Sequence, residues 1–272
     1  MISAKQFIAK VYEHYRTQGR HSLPWRHTKD PYAILVSEIM LQQTQVDRVI
    51  PKYEAFMTEF PTIADLAQAP LGDVLRLWQG LGYNRRAKML HECARELMKS
   101  YNGEVPSSEA VLVSLPGIGP YTARAVMAFA FGVALPLIET NVRTVYLAHF
   151  FPNETNVPDT ALFPYVTDTL DVQNPREWYY ALMDYGSYLK RTRGNSARHS
   201  STYVRQSTFQ GSDRQIRGAI LRVLTTTTGT LTIRDIRTLL SLYDTVRVEE
   251  QLAKLQAEGM VVYQARRYSL PI

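Results

Sequence analysis

The stretch that most constrains this chain is Leu115-Pro116-Gly117-Ile118-Gly119-Pro120-Tyr121-Thr122-Ala123. Two glycines bracketed by prolines sit between two apolar segments, 107–114 and 121–131, that read as helices. Gly117 and Gly119 can take backbone angles closed to other residues, so several N–H groups can turn outward beside the start of the next helix. Such a hairpin is a phosphate cradle, and the same pattern also fits a plain turn between packed helices. The rest of the chain has to decide between them.

The pattern around the hairpin is helical with short connections. A first helix covers 3–18, with Phe7, Ile8, Val11 and Tyr15 at helical spacing. Asp30-Pro31 opens the next as cap and first residue. Along 32–42, Glu38 shares its face with Ile34, Leu35 and Leu41, so a carboxylate sits on an apolar stripe. It is either a buried, protonated acid or an edge residue that reaches water. Further helices are expected at 46–60, 62–69, 71–79 and 85–101, then after the hairpin up to about 150, at 159–170 and at 175–189. Glu139, after Leu137-Ile138, reads as a carboxylate at a helix start. From 213 the order is helix, short strand near 229–231, helix 232–240, helix 245–258 and strands at 260–264 and 266–270, the order of a winged helix. Asp244 caps its third helix, whose Val248, Leu252 and Leu255 face inward.

Charge is placed unevenly. Residues 187–272 hold 14 of the 31 Lys and Arg but 6 of the 25 Asp and Glu, so the basic character lies at that end and suits a polyanionic partner. The run 190–217 is Ser-rich and basic, and reads as a linker or an ordered basic loop. A single cysteine, Cys93, excludes an internal disulfide and any cluster held by several thiolates. No apolar run is long enough to span a bilayer, and the first residues lack a signal-peptide core, so a cytoplasmic, nucleoid-associated protein is expected.

Five stretches in order, Leu23-Pro24-Trp25-Arg26, the run 37–46 (SEIMLQQTQV), Gly80-Leu81-Gly82-Tyr83, the hairpin and Glu139-Thr140-Asn141-Val142, together resemble the MutY-like adenine DNA glycosylases of the helix-hairpin-helix superfamily. The likeness covers about residues 5–189. It implies a mainly α, two-lobed body with its site in the cleft between lobes: a terminal-helix lobe of 1–22 plus 134–211, a six-helix lobe of 23–133 with the hairpin motif at 107–131, and the winged helix at 212–272. It also implies roles. Glu38 is the acid for the leaving base, Glu139 the carboxylate beside the cationic sugar, and Asn141 its support. Tyr121 occupies the position where relatives with lyase activity carry a lysine, which points to hydrolysis alone. Trp25, Arg26, Leu41 and Tyr180 match the pocket for the flipped base, while Gln42, Gln43 and Tyr83 match DNA-contacting or wedge positions. Gly117 and Gly119, with Lys190, Arg191, Arg193 and Arg198, are expected on phosphates. The implied partner is double-stranded DNA carrying a mispaired or damaged base, bound by a monomer without a membrane.

Four departures qualify the resemblance. Glu139 stands where the family has an aspartate, which moves the carboxylate by roughly 1–1.5 Å. Tyr180 stands where relatives place a Glu or Gln that addresses adenine. The four cluster cysteines are missing, with Lys190 at the first ligand position, so no iron-sulfur cluster is expected and a structural monovalent or divalent cation at the hairpin is the only metal envisaged. The C-terminal domain that reads 8-oxoguanine is replaced by the winged helix. Adenine opposite 8-oxoguanine or guanine is the leading substrate. Another base (hypoxanthine, uracil or mispaired thymine) and a non-catalytic lesion-binding protein are the alternatives.

Overall fold

A computed structural model describes residues 2–272 of the chain, and helices dominate it. In chain order the helices are α1 (Ala4–Gln18), α2 (Pro31–Leu41), α3 (Val46–Glu59), α4 (Ile63–Gln68), α5 (Leu71–Trp78), α6 (Arg85–Tyr101), α7 (Glu109–Ser114), α8 (Pro120–Phe129), α9 (Thr140–Phe150), α10 (Asp159–Asp168), α11 (Pro175–Arg193), α12 (Asp213–Thr226), α13 (Ile233–Leu239) and α14 (Thr245–Ala257). Two short strands, β1 (Val262–Gln264) and β2 (Arg267–Ser269), pair antiparallel.

Local chemistry sets most of these boundaries. Ser3 with Gln6, Thr62 with Asp65 and Thr232 with Asp235 form reciprocal capping boxes that satisfy the first N–H groups of α1, α4 and α13. Asp30 accepts from the N–H groups of Tyr32 and Ala33, so it caps α2 as the sequence predicts. Asp244 accepts from the Arg247 N–H to cap α14, and Val248, Leu252 and Leu255 are buried as expected. The strand expected near 229–231 is reduced to a bridge between Leu231 and Tyr268. The helix expected to stop at 189 runs on to Arg193. Lys190, Arg191 and Arg193 therefore form its last turn, where positive side chains complement the helix dipole.

The described residues group into two compact units. The first contains residues 2–38, Pro106–Ser114 and Ile118–Arg205. In it α11 packs on α9, α1 and α8, around a core that includes Phe7, Tyr146, Phe150 and Trp178. The rings of Phe7 and Tyr146 lie 5.1 Å apart and those of Phe7 and Phe150 5.0 Å apart, close enough for aromatic pairing. Gly186 permits the close approach of α11 to the start of α9, because a Cβ there would lie 2.3 Å from the Asn141 carbonyl oxygen.

The second unit contains Ile39–Val105, Leu115–Gly117 and Gln206–Ile272. Here α4 and α5 pack on α6, and α12 packs on α14, α13 and α5. The C-terminal tail docks on α5, where the Gly72 N–H donates to the Pro271 carbonyl at 2.9 Å. Residues 206–272 thus share a unit with 39–105. None of the described helices is long and apolar enough to cross a membrane.

Candidate active site

Glu38 lies on α2 at 6% exposure, which selects the buried reading of its place on the apolar stripe. The Tyr121 hydroxyl donates to its Oε2 at 3.2 Å. Burial pushes the Glu38 carboxyl up to about 7; the Tyr121 hydrogen bond works against this and the charge of Glu139 adds to it. A carboxyl in this state is half protonated near neutral pH and can deliver a proton. Burial and the facing carboxylates hold the Tyr121 phenol well above its ordinary range, so it stays a neutral donor.

Glu139 precedes α9 and caps it. Its Oε1 accepts from the backbone N–H of Asn141 at 2.6 Å and of Val142 at 2.9 Å, while Oε2 accepts from Asn141 Nδ2 at 3.3 Å. The first N–H groups of α9 are thereby supplied with an acceptor. Lys190 Nζ donates to Asn141 Oδ1 at 2.8 Å and fixes the orientation of that amide. Burial lowers the Lys190 ammonium from its ordinary range, opposed by the charge of Glu139. Lys190 is half-buried and reaches inward to Asn141, whereas Arg191, Arg193 and Arg198 are exposed.

The segment entering Glu139 is held by groups that sequence reasoning missed. The Tyr179 hydroxyl donates to the Leu135 carbonyl at 2.7 Å and accepts from the Leu137 N–H at 2.9 Å. Arg124 Nη1 donates to the Pro136 carbonyl at 3.1 Å. No local pattern announces either residue, since both partners lie on other elements.

Of the four residues expected around the flipped base, Trp25 is buried at 4% exposure and Leu41 is half-buried at the end of α2. Arg26 and Tyr180 line a cavity of about 560 Å³ with Tyr15 and Phe129. Both Arg26 Nη atoms donate to Asp184, at 2.8 and 2.9 Å, and Arg20 Nε donates to the same carboxylate at 2.6 Å. Burial of Asp184 opposes its charge, but these arginines outweigh burial and hold it below the usual carboxylate range. Arg26 is thus committed to an internal ion pair. Its guanidinium lies 4.4 Å from the Tyr180 ring centroid, and Phe129 stacks parallel to Tyr180 at 4.5 Å. The Tyr180 phenol is pushed above its usual range by burial.

At the hairpin, Gly117 has φ 76°, and a Cβ there would lie 2.5 Å from Met89 Cβ. Gly119 differs from expectation: its φ of −89° is open to any residue. Nothing lies within 4 Å of a Cβ built there either, so neither torsion nor packing within the chain requires glycine at 119. It precedes α8 without a side-chain cap, so the first N–H groups of α8 have no acceptor from that position.

In the second unit, Gln43 (φ 55°) and Tyr83 (φ 47°) both occupy the left-handed region that non-glycine residues rarely enter, a strain that clusters at functional positions. Arg86, which the sequence did not single out, supports both. Its guanidinium donates to the carbonyls of Ile39, Met40 and Gln42 at the end of α2 and to those of Leu81 and Gly82 in the turn before Tyr83. Gln42 contributes its backbone carbonyl to this set. Among the described residues no group of three or more His, Cys, Asp or Glu is placed to hold a metal ion.

A buried carboxyl raised to about 7, hydrogen-bonded from α8 and within electrostatic reach of a helix-capping carboxylate, can deliver a proton, and comparison places the chain among base-excision proteins. Residues 36–163 match the HhH-GPD superfamily of base excision DNA repair proteins, and the chain belongs to that superfamily. Within it, the chain is 35% identical to an adenine DNA glycosylase of Mycolicibacterium smegmatis over 89% of this chain and 88% of that protein. It is 37% identical to an adenine DNA glycosylase of Buchnera aphidicola subsp. Baizongia pistaciae, matching 68% of this chain and 52% of that protein. A solved thermostable thymine-DNA glycosylase superposes with TM-score 0.63 at 30% identity, over 71% of this chain and 90% of that one. The mainly helical glycosylase fold and the DNA-glycosylase class expected from the motifs both hold.

Proposed function

We propose that this protein is a monofunctional DNA glycosylase that hydrolyses the N-glycosidic bond of adenine mispaired with 8-oxoguanine or guanine. The observation that carries the reading is Glu38, a buried carboxyl raised to about 7 with the Tyr121 hydroxyl 3.2 Å away. Glu38 gives its proton to the flipped base and makes it a neutral leaving group. As the bond breaks, positive charge develops on the sugar, and the Glu139 carboxylate, held by two N–H groups and Asn141, stabilises it. Water then adds to the sugar, and its proton returns to Glu38. Tyr121 offers no amine for a Schiff base, so no lyase step follows.

The hairpin at Gly117 to Gly119, the start of α8 and the exposed Arg191, Arg193 and Arg198 grip phosphates in this reading, while Gln43 and Tyr83 enter the duplex as wedges. The helices and hairpin of 212–272 act as a winged helix on DNA, and the protein works as a nucleoid-associated monomer. Tyr180 favours a second reading, thymine or uracil as substrate. Its phenol lacks an amide's paired donor and acceptor, and the likeness to the thymine-DNA glycosylase reaches 30% identity. The burial cost borne by Glu38 argues against a protein that only binds lesions.

One assay separates these readings. Duplexes carrying adenine opposite 8-oxoguanine or guanine, hypoxanthine, uracil or mispaired thymine are incubated with the protein and cleaved at abasic sites with alkali. Strand breaks in the adenine duplexes are expected. Breaks confined to another base would move the substrate to it, and tight binding without breaks would make the protein a lesion binder.

A further inference from the structure

In the winged-helix reading of residues 212–272, α14 is the helix that would enter the major groove of DNA, and the β1–β2 hairpin is the wing. The surface of α14 does not suit that role. It presents Val246, Glu249, Glu250 and Ala253, of which Val246 is 65% exposed. Arg247 is bonded to Asp213 at 2.6 Å, and Lys254, the one exposed cation of the helix, acts on the same carboxylate. A groove walled by phosphates repels the two glutamates.

The hairpin is built the other way. Gln264 pairs with Arg267, so Ala265 and Arg266 form a two-residue turn, and both are left-handed, at φ 51° and 61°. Asparagine and glycine suit such a turn, whereas alanine followed by arginine is strained in it, and strain of this kind clusters at functional positions. What the placement yields is an exposed arginine at the tip, with no hydrogen bond or ion pair from its side chain among the described residues. Beside it, Arg267 Nε donates to Thr230 Oγ1 at 2.6 Å and Nη2 to the Thr230 carbonyl at 2.9 Å. These bonds tie the hairpin to the loop before α13 and still leave three of the five N–H groups of Arg267, and the Thr230 hydroxyl proton, free to donate. The exposed Arg234 joins them. Asp235 is held below its usual range mainly by its bonds from Thr232, and the charges of both Arg267 and Arg234 add to this. Three guanidinium groups thus meet one carboxylate, which is already committed to capping α13. Such an array of charged forks and a hydroxyl matches phosphate oxygens.

We propose that the β1–β2 hairpin, through Arg266 and Arg267 with Arg234 beside them, is the surface by which residues 212–272 hold the phosphate backbone of duplex DNA, and that α14 stays out of the groove. The inference rests on DNA being the partner of this segment in the glycosylase reading, and concerns neither the excised base nor its pair. Phosphates carry no sequence information, so the hairpin anchors the protein equally on undamaged duplex.

The test is equilibrium binding of the full chain, by fluorescence anisotropy, to a fully paired duplex over a range of salt concentrations. Ala265→Asn combined with Arg266→Gly gives the turn the residues that suit it and removes the tip arginine. This variant is expected to bind more weakly and to flatten the slope of log K against log salt by about 1, while its thermal midpoint stays level or rises. Arg234→Gln flattens the slope by about 1 as well, and all three changes together by about 2. Ala253→Tyr, which adds neutral bulk to the exposed face of α14, leaves affinity within about twofold. A loss with Ala253→Tyr as large as that of the hairpin variant would put α14 in the groove. Slopes unchanged in every arginine variant would assign the basic tip to another partner, such as an acidic protein. Either result overturns the proposal. The paired duplex contains no mispair, so a failure to excise any base sinks the glycosylase reading and leaves the slopes to decide this one.

Discussion

Glu38→Gln separates the chemistry of the site from its cost. The carboxyl titrates near 7 in the fold against 4.5 in an open chain, and burial is the leading cause. The sign follows from proton binding: between those values the native state holds its proton while the unfolded chain has released it. Stability is therefore unaffected by Glu38 below about 4.5 and falls as pH rises through the window, reaching its full deficit above about 7. At 1.36 kcal/mol per unit, the deficit is about 3 kcal/mol at pH 8. Glutamine keeps the acceptor for the Tyr121 hydroxyl and removes the titration. The variant should match the wild type in urea unfolding near pH 4.5 and exceed it by about 3 kcal/mol at pH 8, while losing about 10²- to 10⁴-fold or more in excision rate. A stability difference that does not change between these pH values would refute the desolvated state of Glu38. Unchanged excision would remove it as the acid.

The same reasoning sets the pH profile of Tyr121→Phe. The Tyr121 hydrogen bond lowers the Glu38 carboxyl, so its loss should shift the alkaline limb of kcat/KM from about 7 to higher pH; a limb that stays or moves down would contradict the contact. Lys190→Met should lower kcat about tenfold or more with little change in DNA affinity, because Lys190 holds Asn141 and Asn141 holds Glu139; a loss confined to DNA binding would return Lys190 to the phosphate contacts. Gly186→Ala should destabilise the fold by about 1–3 kcal/mol, since its Cβ meets the Asn141 carbonyl at 2.3 Å, and urea unfolding should show this together with slower excision. Arg86→Met strips charged donors from five carbonyls, and a loss of about 3 kcal/mol or more in the same unfolding assay is expected.

Much of the fold was written locally. Asp30, Thr62, Thr232 and Asp244 cap the helices they precede, because a capping side chain acts within three residues of its own position. The apolar stripe carrying Glu38 was equally legible, although its period could not say whether the carboxyl was covered. That depended on packing, and burial raised it to about 7. Gly119 shows the opposite case: composition suggested a special torsion, and the fold gives the residue an ordinary one with open space beside it. Arg26, Lys190, Tyr179 and Arg86 were decided by tertiary structure alone. Each meets partners more than 40 residues away in the chain, at Asp184, Asn141, Leu135 and the end of α2. A sequence specifies which donors exist, whereas long-range hydrogen bonds depend on which backbone groups the fold leaves unsatisfied. The residue types of the chemistry were therefore readable in order along the chain, and the protonation state and the orientation of each group were conferred only by burial and by distant partners.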